Sequence, residues 1–178
     1  MDYFAIQVAT RREDEWLARM RESVRSIRFH KIIKRMYVRR RGKMITEDTP
    51  LFPGYIFMEY PDKALPAELL YTIRHSRYFI RFLPNNDSPH PLDQHDSEII
   101  RHWLVYGGRV PASLVTFDEH QRIRVVDGPL KGMEGNIIKV DRRKRRAKIQ
   151  ITLAASPMTL DLAFDLLEPD TEHAAAEV

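Results

Sequence analysis

Val125-Val126-Asp127-Gly128-Pro129-Leu130-Lys131-Gly132-Met133-Glu134-Gly135 places three glycines and one proline within eight residues, between two runs of strand-forming side chains. Glycine supplies backbone at positive φ and proline fixes its own φ, so the segment predicts a tight loop joining strands. After six further residues comes Arg142-Arg143-Lys144-Arg145-Arg146, a cationic turn suited to phosphates. Downstream, Ala147, Ile149, Ile151 and Leu153 alternate with Lys148, Gln150 and Thr152, and Met158, Leu160 and Leu162 alternate with Thr159 and Asp161. Strands are expected at 122–126, 136–140, 147–153, 158–162 and 164–167, which together imply a small five-stranded barrel.

Upstream the pattern changes. Phe4, Ile6 and Val8 share one face of a strand at 3–8, and Thr10 with Glu13 has the spacing of a helix-capping box. The helix that follows, to about residue 26, carries an apolar stripe of Leu17, Met20, Val24 and Ile27 beside Trp16. An extended stretch at 31–40 turns at Arg41-Gly42-Lys43 and returns through a polar segment at 46–50. Leu51-Phe52-Pro53-Gly54-Tyr55-Ile56-Phe57-Met58-Glu59-Tyr60 then turns at Pro53-Gly54 and runs on as an apolar, central strand. Pro66 opens a second helix with Leu69, Leu70 and Ile73 on one side, and a strand follows at 79–83. An irregular loop at 84–91 leads to a third helix at 93–106, capped by Asp93, facing its core with Ile99, Ile100, Trp103 and Leu104, and stopped by Gly107-Gly108. Too few helices are present to cover both faces of a parallel sheet, so the first part reads as an α+β sandwich with an antiparallel sheet. The division expected is 1–107 for this domain, 108–117 for a linker, 118–168 for the barrel, and 169–178 for a disordered acidic tail.

The composition narrows the function. With 178 residues, 43% of them apolar, the chain can bury one large core or two small ones. It has no cysteine, which removes disulfides, thiol nucleophiles and thiolate zinc sites. No signal-like N-terminus or membrane-length apolar run is present, so a cytoplasmic protein is expected. The net charge of +4 conceals clustering: residues 1–114 hold 19 Lys+Arg against 14 Asp+Glu, and the bases gather at Arg39, Arg40, Arg41 and Lys43 and at Arg142, Arg143, Lys144, Arg145, Arg146 and Lys148. His95 and His102 match no metal-ligand spacing, the glycines precede no helix that would cradle a phosphate, and no nucleophile elbow occurs, so neither a metal, a cofactor nor an enzyme is expected.

The Phe52-Pro53-Gly54-Tyr55-Ile56-Phe57 turn in an α+β domain, followed by the 124–135 segment at the mouth of a barrel, resembles the NusG family of transcription elongation factors. In that family the two parts are the NGN domain and the SH3-like KOW domain, whose motif corresponds here to Asp127, Gly128, Pro129, Lys131, Gly132 and Gly135. The resemblance implies a monomer that binds the clamp region of RNA polymerase through Phe52, Pro53, Gly54, Tyr55 and Phe57; core packing is the alternative role for these aromatics. Housekeeping members carry an aromatic anchor for a ribosomal protein in a barrel loop where this chain has Leu153-Ala154-Ala155-Ser156, which puts that contact in doubt. The six cations within residues 142–148 resemble instead the specialised LoaP-type antiterminators, which an RNA hairpin recruits through the KOW domain. By that resemblance Arg142 to Lys148 contact nascent RNA, and Arg39 to Lys43 contact upstream or non-template DNA; solvated hairpin tips are the plainer reading of both. A ribosomal or ribosome-assembly protein with a KOW barrel is the alternative for the whole chain, although such proteins lack the N-terminal domain.

Overall fold

The structure, a computed structural model, describes residues 1–167; the expected acidic tail lies outside the described residues. Twelve strands and three α-helices are present among them: β1 (Asp2–Val8), α1 (Glu13–Ser23), β2 (Arg28–His30), β3 (Ile33–Arg40), β4 (Lys43–Pro50), β5 (Tyr55–Tyr60), α2 (Ala67–Arg74), β6 (Phe79–Leu83), α3 (Gln94–Leu104), β7 (Arg109–Val110), β8 (Ser113–Phe117), β9 (Ile123–Asp127), β10 (Ile137–Asp141), β11 (Arg146–Leu153) and β12 (Ser156–Leu166). The mixed α+β class read from the sequence is the class observed.

The N-terminal sheet has the order β2-β5-β1-β6, all antiparallel, with Ile6 opposite Ile56 and Phe82. β1 is buried on both faces, because side chains alternate across a strand. Phe4, Ile6 and Val8 pack with Trp16, Leu17 and Met20 of α1 and Leu69 and Ile73 of α2. Tyr3 and Ala5 point the other way, into a second core with Phe57, Leu83 and, from α3, Ile100 and Trp103. That second core continues into the barrel through Leu130, Ile149, Ile151, Leu153 and Phe164, so the described residues share apolar packing from the sheet to the barrel.

Several local expectations change. Helix α1 begins at Glu13 behind Arg12, with no side-chain cap, so Thr10 and Glu13 form no capping box. Glu13 instead turns inward and accepts a hydrogen bond from the Gly54 N–H at 2.8 Å. The helix ends at Ser23, and Val24 and Ile27 only flank the core. The polar return at 46–50 is the strand β4, paired with β3 along its whole length around the Arg41-Gly42 turn, because eight ladder pairs satisfy its backbone whatever its side chains prefer. Residues 108–117, read as a linker, carry two strands: β7 runs parallel to β3, and β8 lies between β12 and β9.

The C-terminal sheet has the order β10-β11-β12-β8-β9 and curls into a five-stranded half-barrel. Its strand count is the expected one with a different membership. The two strands expected at 158–162 and 164–167 are one, β12, and β8 supplies the fifth. Ala163 is buried between Leu162 and Phe164, so there is no polar break in the apolar run at which the chain would leave the sheet.

Candidate functional site

The Phe52–Tyr55 turn is held from three sides. Glu13 receives the Gly54 N–H, the Gly54 carbonyl receives the Val8 N–H at 2.8 Å, and the Phe52 carbonyl receives the Tyr55 N–H at 3.1 Å. Gly54 sits at φ +78, and a Cβ there would lie 3.0 Å from the Val8 carbonyl oxygen. No other residue fits without moving β1. Phe52 and Phe57 stack edge-to-face at 5.4 Å and are both buried, so in this arrangement they are core residues. Pro53 is exposed and Tyr55 half-buried, which leaves these two at the surface of the turn.

The 127–135 loop is also built from within. Gly128, at φ +95, approaches Ser113 so closely that a Cβ would meet the Ser113 Cα at 2.8 Å. The fully buried Ser113 hydroxyl then accepts the Leu130 N–H at 2.9 Å, and Leu130 and Met133 insert into the core. Lys131 donates back to the Val126 carbonyl at 3.1 Å, which ties its cation to the loop itself. Asp127, Gly132 and Gly135 are exposed, and Pro129 is buried beneath the loop.

That loop and two other parts of the barrel rest on the N-terminal half. His102 of α3 lies 2.7 Å from the Pro129 carbonyl through Nε2. A carbonyl only accepts, so Nε2 carries the proton. Ala154, in the β11–β12 turn, donates its N–H to the buried Asp96 carboxylate of α3 at 2.8 Å. Burial holds the Asp96 carboxyl above its ordinary pKa against the opposing pull of that hydrogen bond. Along β12, the Lys34 ammonium donates to the Asp161 carbonyl at 2.6 Å, and the Tyr37 hydroxyl donates to the Asp165 carboxylate at 2.6 Å. Burial lowers Lys34 to about 8; burial, then the Asp165 bond, raises Tyr37 to about 12. Of the eight residues in these contacts, Pro129 belongs to the 127–135 motif and Ala154 to the 153–156 turn; the other six, His102, Asp96, Lys34, Asp161, Tyr37 and Asp165, are not site residues by sequence, since each looks like an ordinary polar position until the partner from a distant part of the chain is beside it.

These contacts bring the two basic turns together. The β10–β11 turn spans residues 142–145. Arg142 lies over the Phe117 ring at 4.1 Å and bonds Gln121, while Arg145 pairs with Asp165 at 3.5 Å and lies over the Tyr37 ring at 5.8 Å. Arg146 and Lys148 share Asp161, at 3.6 and 3.0 Å. Lys144 reaches Asp141 only at 4.0 Å, and Arg143 has no acidic partner among the described residues. On the β3–β4 hairpin Arg40 pairs with Glu47 at 2.7 Å, whereas Arg39, Arg41 and Lys43 have no acidic partner among the described residues. A cleft of about 490 Å³ separates the turns, with Arg39, Tyr37 and Met44 on one wall and Arg143, Lys144 and Arg146 on the other. A smaller recess of about 210 Å³ shares Lys144 and Arg146 with it and is lined also by Lys139, Lys148, Asp141 and Asp161. Among the described residues no group of acidic and histidine side chains could hold a metal ion, and no helix is long and apolar enough to cross a membrane.

The architecture has counterparts of known sequence. The profile of the family described as "Transcription termination factor nusG" matches residues 1–101, more than half of the chain and all of the Phe52–Phe57 turn. Two relatives named "Transcription termination/antitermination protein NusG" come from Xylella fastidiosa, 24% identical over 70% of this chain and 71% of its own length, and Thermus thermophilus, 27% identical over 71% of each. A third, from Escherichia coli O6:H1, is 24% identical over 72% of this chain and 70% of its own length. An antiparallel sheet with its locked turn, a curled five-stranded sheet whose β9 and β10 are joined by the 127–135 loop, and a family match over the first 101 residues agree: this chain is a member of the NusG family of transcription termination and antitermination factors.

Proposed function

We propose that this protein is a transcription elongation regulator that binds RNA polymerase through its N-terminal α+β domain and receives RNA on the C-terminal five-stranded half-barrel, whose first strand in the chain is β8. The observation that carries the reading is the family match across the whole N-terminal sheet, including the turn at Phe52, Pro53, Gly54, Tyr55 and Phe57. Pro53 and Tyr55 make the polymerase contact at the clamp, while Phe52, Gly54 and Phe57 hold the turn in place from behind. It acts by binding rather than by catalysis, and as a polymerase-bound factor it works in the cytoplasm.

The specialised antiterminator assignment rests on two local features. The β11–β12 turn lacks an aromatic anchor and has Ala154 packed on α3, which removes the type of side chain on which a ribosomal contact there would depend. The β10–β11 turn exposes Arg143 and Lys144, which suits phosphates of a nascent RNA hairpin. Capture of purified RNA polymerase by the full chain, compared between wild type and Tyr55→Ala, tests the polymerase contact; equal capture would remove it. Transcription past a terminator, with and without the RNA element, gives the sign of the effect.

A further inference from the structure

The fold sets cations from two distant segments against each other across one cleft. Arg39 comes from the β3–β4 hairpin, and Arg143 and Lys144 come from the β10–β11 turn roughly a hundred residues later. Like charges so placed repel, and neither Arg39 nor Arg143 has an acidic partner among the described residues. The arrangement is nevertheless held by the Lys34–Asp161 and Tyr37–Asp165 hydrogen bonds beside it and by Arg145, which pairs with Asp165 and lies over the Tyr37 ring. A polyanion in the cleft would relieve the repulsion and release the counterions that otherwise screen it.

The walls also differ in character. Met44 is half exposed, and Tyr37 and Val38 are partly exposed, on the hairpin side; the barrel side is cationic. A duplex keeps its base faces stacked inside and presents phosphates, sugars and groove edges outward, so no base face reaches an apolar wall. An unpaired strand presents a base face on one side and phosphates on the other, which is the combination found in clefts that take single strands. The volume of about 490 Å³ is that of an ordinary ligand cleft, within roughly 300–1,000 Å³.

We infer that the two basic turns are one binding site, a cleft that takes a single unpaired nucleic-acid strand with its phosphates on Arg39, Arg143 and Lys144 and a base against Met44. This rests on the reading of the protein as a nucleic-acid-engaging elongation factor, and changes it: the two turns share one strand instead of holding RNA and DNA separately. The phosphodiester chemistry is common to nascent RNA and to displaced DNA, so both are tested.

The experiment is fluorescence anisotropy with the full chain and labelled unpaired RNA of about ten nucleotides, the same sequence as DNA, and a hairpin duplex. Titrations run between roughly 50 and 200 mM salt. Arg39→Ala and Arg143→Ala are each expected to weaken single-strand binding about fivefold. Each is also expected to reduce the salt slope by about 0.7. Met44→Ala should lower affinity about fivefold with the slope unchanged. Equal binding of RNA and DNA supports recognition of backbone and base face, and tighter binding of RNA supports an added 2′-hydroxyl contact. Wild-type affinity and slope in Arg39→Ala, with loss in Arg143→Ala, overturns the shared cleft and leaves RNA binding by the barrel standing. Wild-type behaviour in both overturns the cleft and the RNA reading together, and tighter binding of the duplex than of either strand overturns the cleft. All three side chains lie at least partly exposed, and circular dichroism of each variant verifies its fold.

Discussion

The Ala154 N–H points into the Asp96 carboxylate at 2.8 Å, joining the tip of the β11–β12 hairpin to the first turn of α3. Ala154 and Ala155 both lie at positive φ, 50° and 60°, conformations that cost an alanine roughly 1–2 kcal/mol each. The hairpin accepts that strain while its tip is buried against a charged acceptor. Asp96→Ala leaves the Ala154 N–H buried and unpaired, and is expected to destabilise the fold by about 1–3 kcal/mol. Asp96→Asn keeps an acceptor and should cost less. Chemical denaturation gives the energies, and faster hydrogen exchange at 153–156 in Asp96→Ala would place the loss at the tip.

Lys34 gives a pH signature. A lysine of ordinary pKa 10.5 that titrates at about 8 in the folded chain binds fewer protons folded than unfolded between those values. Stability therefore rises as pH goes from 8 towards 10.5, and its loss is complete below about 8. Over pH 8 to 10 the gain is on the order of 2 kcal/mol or less, since one pKa unit corresponds to about 1.4 kcal/mol. Tyr37, raised to about 12, acts oppositely and only above its unfolded value of 10, where its stabilisation begins to fall. Denaturation midpoints should rise from pH 8 to 10 in wild type and stay level in Lys34→Met; an equal rise in both would refute the assignment.

Gly128 and Gly132 separate two uses of glycine. At Gly128 a Cβ would meet the Ser113 Cα at 2.8 Å, and φ is +95, so Gly128→Ala must displace β8. The expected loss is about 3 kcal/mol or more, strain and overpacking together. At Gly132, φ is +82 with open space around it, so Gly132→Ala costs only about 1 kcal/mol of backbone strain. Thermal melts of the two variants should differ clearly, with Gly128→Ala the lower.

Glu13 positions the turn at Pro53. It is almost fully buried and accepts the Gly54 N–H. Glu13→Ala removes the acceptor and is expected to cost about 1–3 kcal/mol and to weaken polymerase capture, while Glu13→Gln, which retains an acceptor oxygen, should restore most of both. Loss of stability without loss of capture would show that the turn's exact position is not what the polymerase contact requires.

Strand and helix assignments follow from local rules, and those rules held where side chains alone decide burial. The alternation of β11 is reproduced residue by residue, with Ala147, Ile149, Ile151 and Leu153 inside and Gln150 and Thr152 outside. Asp93 caps α3 as its position suggests. The exceptions are long-range. β4 has polar side chains and is a strand because β3 lies beside it; β8 sits in a stretch without a strand's punctuation and is held by β12 and β9. Glu13 looks like half of a capping box and is spent on Gly54, 41 residues away.

The sequence by itself determined the class of fold, the two basic turns and the family, because periodicity, turn chemistry and motif order are written along the chain. Tertiary structure alone decided that Phe52 and Phe57 are buried, that the barrel rests on α3 through Asp96 and His102, and that Arg39 faces Arg143. The physical reason is that burial and charge proximity depend on distance in space, and the partners concerned are separated by tens to more than a hundred residues of chain that no local pattern spans.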